Sequence, residues 1–166
     1  MSTNAVANQN LEVKAPDDRL LRQFVGYNMK RAFIPVHEDI SETLAPFGLR
    51  VGTFSALAVV TASPGISQTR LSQVLNIKRS GVVVVVDELE SLNAVERLPV
   101  ETDRRAYALQ ITPEGADLWN RAEAAVQAHE AAMFADLTAE ELDTLRKLLS
   151  RAARSGAKRR REQLDD

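Results

Sequence analysis

Ser67-Gln68-Thr69-Arg70-Leu71-Ser72-Gln73-Val74-Leu75-Asn76-Ile77-Lys78-Arg79-Ser80-Gly81-Val82 is the stretch whose reading decides the fold. It predicts a short helix over 67–75, a tight turn at Asn76-Ile77 and a second helix over 78–92. Ser72 is small and lets the second helix approach the first. Asn76, four residues on, tolerates the left-handed conformation that ends a helix and turns the chain. Val82, six further, is apolar and plugs the joint. That spacing is a helix-turn-helix signal. Beyond the second helix, 95–99 and 106–111 are partly alternating, β-prone runs that read as two antiparallel strands. The loop between them, tipped by Thr102-Asp103-Arg104-Arg105, carries two adjacent arginines, as a wing beside such a helix pair would.

Five motifs extend this reading. Gly65-Ile66-Ser67-Gln68-Thr69-Arg70-Leu71-Ser72-Gln73-Val74-Leu75, Lys78-Arg79-Ser80, Val86-Asp87-Glu88-Leu89-Glu90, Asp103-Arg104-Arg105 and Leu109-Gln110-Ile111-Thr112-Pro113-Glu114-Gly115 follow one another in order. Together they resemble the MarR family of bacterial transcriptional regulators over roughly residues 47–119. The resemblance implies a mainly α fold with a small β-hairpin wing, a winged helix-turn-helix flanked by N- and C-terminal dimerisation helices.

Working outward, 1–16 are polar, with Pro16 at their end, and read as a flexible tail. From Asp17 or Asp18 an amphipathic helix begins, with Leu20, Leu21, Phe24, Val25 and Met29 at helical spacing, continuing to Leu44. Pro35 inside it predicts a kink or a division. A further helix over 51–62 is stopped by Ser63-Pro64-Gly65. After the hairpin, Thr112 caps a long helix reaching about Ala135, with Pro113 in its first turn. Thr138-Ala139-Glu140-Glu141 is a capping box opening the last helix. These boundaries divide the chain into a tail (1–16), N-terminal dimerisation helix or helices (17–46), a winged helix-turn-helix domain (47–112), C-terminal dimerisation helices (113–157) and a charged tail (158–166). Amphipathic helices at both ends, in excess of what such a domain needs, imply a second surface to bury, and intertwined homodimerisation is the expected use. A two-fold dimer sets two recognition helices one duplex turn apart, ~34 Å, on an operator with inverted-repeat symmetry.

Composition excludes several classes. The chain has 166 residues and no cysteine, so a disulfide scaffold, a thiolate metal site and a cysteine nucleophile are ruled out. No run approaches the ~20 apolar residues that span a bilayer. The polar start Met1-Ser2-Thr3-Asn4 lacks the basic and apolar regions of a signal peptide, and the expected compartment is the cytoplasm. His37 and His129 do not form a zinc-protease pair, and neither a phosphate loop nor a nucleophile elbow is present, so no enzyme, metal or cofactor is expected. The net charge of −2 does not advertise DNA. Placement must carry that argument, because affinity depends on phosphates neutralised at one surface. Lys78 and Arg79 open the second helix, whereas Asp87, Glu88 and Glu90 lie toward its far end.

Double-stranded DNA is the expected partner. Lys78, Arg79 and Ser80 begin the recognition helix and, with Asn76, supply the main base contacts. Many family members continue that helix with Thr, Ser and Arg at base-reading positions, where this chain has Gly81, Val83 and Val84. In the run 82–86, Val82, Val85 and Val86 read as core, but five valines cannot all point inward, so Val83 or Val84 faces DNA. Ser67, Gln68 and Thr69 can bind phosphate, and Ser67 serves equally as a helix cap. The resemblance makes Asp103 the residue that holds Arg104 or Arg105 extended into the minor groove. It also implies a small-molecule effector, an aromatic carboxylate or its CoA thioester, between the DNA-binding lobe and the dimer helices. Candidates for that crevice are Phe24, Tyr27, Asn28, Arg31, Phe33, His37, Phe47, Phe54 and Trp119, with Arg31 or His37 meeting a carboxylate. As alternatives, these aromatics are core, and His37 is a surface residue beside Glu38 and Asp39. The valine run and balanced charge admit a second function class, a winged-helix protein-interaction module that has lost specific DNA binding.

Overall fold

The computed structural model describes residues 17–100 and 103–165, with the side chains of all of these except 103–106, 161, 164 and 165. The tail read over 1–16 lies outside the described residues. The rest falls into two compact units that divide after Pro35.

In the first unit Asp18 is the hub. Its carboxylate accepts hydrogen bonds from Arg22 Nε (2.6 Å) and the Tyr27 hydroxyl (2.8 Å) and pairs with Arg31 at 3.2 Å. These contacts hold a turn over 19–23, so the first helix, α1 (Val25–Leu44), starts later than the amphipathic pattern predicts. The Asn28 amide donates to the carbonyls of Phe24 and Arg22 and stabilises that entry. Pro35 does not divide α1 into two helices, although it removes one N–H from the ladder.

The second unit contains the winged helix. A 3-10 turn (Ala45–Phe47) ends on Gly48 at φ 68°, a left-handed conformation that suits glycine. Then follow α2 (Val51–Ala62), β1 (Ile66–Ser67), α3 (Gln68–Leu75), α4 (Arg79–Ser91), β2 (Val95–Val100), β3 (Asp103–Ile111), α5 (Pro113–Met133) and α6 (Ala139–Asp165). The antiparallel sheet has β3 at its centre, with Ile66 opposite Leu109 and Val95 opposite Ile111. The core joins α2, α3 and α4 to this sheet: Leu57 and Val60 from α2, Leu71 from α3, Val82, Val86 and Leu89 from α4, and Leu109 from β3 are fully enclosed. At ~1.5–3 kcal/mol for each large aliphatic side chain, this burial is what fixes the helix-turn-helix on the sheet.

Three further parts depart from the sequence reading. β1 was not expected, because two residues carry no periodicity. The wing strand starts at Asp103, so Asp103, Arg104 and Arg105 belong to β3 and not to the tip; only residues 101 and 102 separate the strands. The register shifts between Pro99 and Val100, pairing Pro99 with Tyr107 and Val100 with Asp103, where proline cannot donate to the ladder. Finally, the charged tail of 158–166 is helical as far as Asp165. One glycine, Gly156, costs a helix about 1 kcal/mol relative to alanine, which good helix formers on either side absorb.

Candidate nucleic-acid interface

The two helices of the motif are set by local chemistry. Ser67 caps α3, its Oγ accepting from the Arg70 amide at 3.2 Å. Ser72 is buried, and its hydroxyl donates to the Thr69 carbonyl at 2.7 Å. Asn76 takes φ 52°, ψ 42°, and the amides of Asn76 and Ile77 return to the carbonyls of Gln73 and Ser72. Val82 then sits at the joint, 1% exposed. Thus Ser67 has a structural task whatever else it touches, whereas Gln68 and Thr69 only begin the helix.

α4 is sharply two-sided. Val82 and Val86 are buried and Val85 half-buried, while Val83 and Val84 are 44% and 52% exposed. Lys78, Arg79 and Ser80 are exposed at its start, and among the described residues neither Lys78 nor Arg79 has an acidic partner. The acids farther along are neutralised from within the domain. Arg97 on β2 reaches Asp87 at 2.6 Å and also pairs with Glu90, and Arg50, at the start of α2, pairs with Glu88. The Glu88 carboxylate raises the Arg50 pKa still further. The helix therefore offers free positive charge at one end and compensated charge at the other. Sequence reasoning gave Arg97 no role here; the signal was the three-residue spacing of Asp87 and Glu90, which puts both on one helix face.

Of the wing residues, Asp103, Arg104 and Arg105 have side chains outside the described residues, so the structure fixes only their backbone, in β3.

The effector candidates separate into groups. Tyr27 and Arg31 converge on Asp18, so Arg31 already holds a carboxylate. The Asp18 carboxylate is held below its usual range by hydrogen bonds from Arg22 and Tyr27, and that same bond to Asp18 raises the Tyr27 phenol. Phe24, Asn28 and Phe33 are exposed on the same unit. In the second unit Phe54 and Trp119 stack, with ring centroids 5.2 Å apart, and both pack against the core. Phe47 lies under the Arg121 guanidinium and borders an open groove with Leu92, Pro113 and Leu118. His37 lines another, a groove of about 660 Å³ with Ser41, Leu49, Arg50, Thr53 and Val85. One polar link was missed: His129 of α5, buried, places Nδ1 2.5 Å from Asp39 Oδ2 on α1. Ninety residues separate the two, and no local pattern announces such a pair.

Comparison with known proteins follows the same outline. The family model of the MarR family matches residues 47–106. A putative transcriptional regulatory protein for the hcr operon of Thauera aromatica is 33% identical over 131 residues, 78% of this chain and 79% of the relative. The transcriptional repressor CouR, solved bound to a 23-mer DNA duplex, superposes with a TM-score of 0.81 at 31% identity, covering 84% of this chain and 99% of that one. CouR from Rhodococcus jostii RHA1, solved with p-coumaroyl-CoA, gives a TM-score of 0.72 at 28% identity over 80% of this chain and 94% of the other.

Proposed function

Because the chain belongs to the MarR family of transcriptional regulators, we propose that it acts as a homodimeric, ligand-responsive repressor on a pseudo-palindromic duplex. The observation that carries this reading is the polarity of α4: exposed, uncompensated Lys78 and Arg79 at its start, and acids tied to Arg97 and Arg50 at its end. Lys78, Arg79, Ser80 and Asn76 meet phosphates and base edges in the major groove, with Val83 and Val84 behind them. Gln68, Thr69 and the capping Ser67 meet the backbone, and Asp103, Arg104 and Arg105 of the wing meet the minor groove. Dimerisation uses α1, α5 and α6; exposed Phe24, Met29, Phe33 and Ile34 in the first unit, and Leu148 and Leu149 on α6, support it.

The effector is an aromatic acid or its CoA thioester. The p-coumaroyl-CoA bound by CouR supports that class, as do the aromatic side chains already named. Ligand binding releases DNA only through different affinities for the two arrangements of the recognition helices. No catalytic function is assigned, and no single helix among the described residues is long and apolar enough to cross a membrane.

The test is selection of genomic duplex fragments by the purified protein, then anisotropy titration of the winner against random duplex at several salt concentrations. An inverted repeat bound at least ~10³-fold more tightly than random DNA is the expected result. Weak, unselective binding would favour the protein-interaction reading, for which the exposed Val83 and Val84 are the motive.

A further inference from the structure

We infer that α4 selects its half-sites through the C5-methyl groups of thymine, read by the outward methyls of Val83 and Val84. The inference rests on the DNA-binding reading above and adds to it which base the helix prefers.

The exposed strip of α4 runs through Arg79, Ser80, Val83, Val84 and Asp87. Arg79 and Ser80 lie in the first turn, and the Asp87 carboxylate is held by Arg97 at 2.6 Å. Between them only the two valines project, and neither has a donor or an acceptor. Ile77 continues the apolar surface: its Cδ1 would stand 3.9 Å from a Cβ at Gly81, and its side chain is itself exposed. β-branched residues are among the weaker helix formers, and Val83 and Val84 stay 44% and 52% exposed.

In the major groove every base edge offers hydrogen-bonding groups, and its one apolar feature is the thymine methyl. A guanine O6, a purine N7 or a cytosine amine set against valine gives up its water and receives no bond. A thymine methyl set there leaves water on both sides of the contact, which is favourable. The valine pair thus discriminates by rejection as much as by attraction.

The experiment uses the full-length protein and the duplex it selects. Each half-site thymine is replaced by deoxyuridine, which removes the methyl and keeps every hydrogen-bonding group. We expect each contacted methyl to be worth about fourfold in Kd, and deoxyuridine outside the half-sites to be silent. The Val83→Ala/Val84→Ala variant, at exposed positions whose fold circular dichroism can verify, should bind more weakly and no longer distinguish thymine from uracil. Arg79→Ala should weaken both duplexes alike. A selected duplex that tolerates every thymine-to-uracil exchange would overturn the inference and leave the DNA-binding reading standing. Failure to select any duplex would overturn both.

Discussion

Gly115 has no room for a side chain. A Cβ there would stand 1.9 Å from the Ala94 carbonyl oxygen, backbone against backbone, so no rotamer change relieves it. The Thr112-Pro113-Glu114-Gly115 motif is thereby a joint as well as a helix start: the Thr112 hydroxyl caps the Gly115 amide at 2.9 Å, and its own N–H reaches Ala94 at 3.1 Å. Gly115→Ala should cost about 2–4 kcal/mol, on the scale of other overpacking and strain effects; urea denaturation should show a lower midpoint. A second residue-scale prediction concerns Tyr27, whose phenol is raised above its ordinary 10.0 by its hydrogen bond to Asp18. Ultraviolet titration of Asp18→Asn in a Tyr107→Phe background should return the phenol toward that ordinary value. An unchanged midpoint would remove Asp18 from the hub.

At the scale of the element, α4 owes its sidedness to partners on other elements. Arg97→Ala would leave Asp87 and Glu90 without their cation. Arg97 is half-buried and its acidic partners lie nearer the surface; surface pairs add ~1 kcal/mol or less to stability, so the cost to folding should be modest, and a urea titration should register it. Duplex affinity should fall nonetheless, because two uncompensated carboxylates then repel phosphates; Asp87→Asn on top of Arg97→Ala should restore part of it in an anisotropy titration. The inward and outward halves of the valine run were legible in the sequence, since helical periodicity forces some of five adjacent valines outward. So were the Asn76 turn and the Thr138 capping box, whose determinants lie within a few residues. β1 was not legible, because its pairing with Leu109 and Ala108 is made some forty residues away. Three of the four residues read as the wing tip lie in β3 for a similar reason: strand register is decided across the sheet, where Pro99 disturbs it, and the loop composition alone does not reveal it.

For the whole molecule, the order of helices was readable and their partners were not. Amphipathic ends showed that apolar surface must be covered, but a single chain cannot say by what. On the proposed dimer, Leu148→Glu/Leu149→Glu should shift the sedimenting species toward monomer and remove the concentration dependence of the thermal midpoint. Mass and melting that ignore this change would place the dimer contact elsewhere. The joint at Gly115 bears on how a distant event reaches DNA. At Ala94 backbone is set directly against backbone, so the start of α5 and the turn that ends α4 meet with no side chain between them. His129 grips α1 through Asp39 fourteen residues along the same helix, about 21 Å from that fulcrum. In the proposed ligand response α5 would serve as a lever arm: a shift of about 2 Å at His129 would correspond to a tilt of about 5° about that contact.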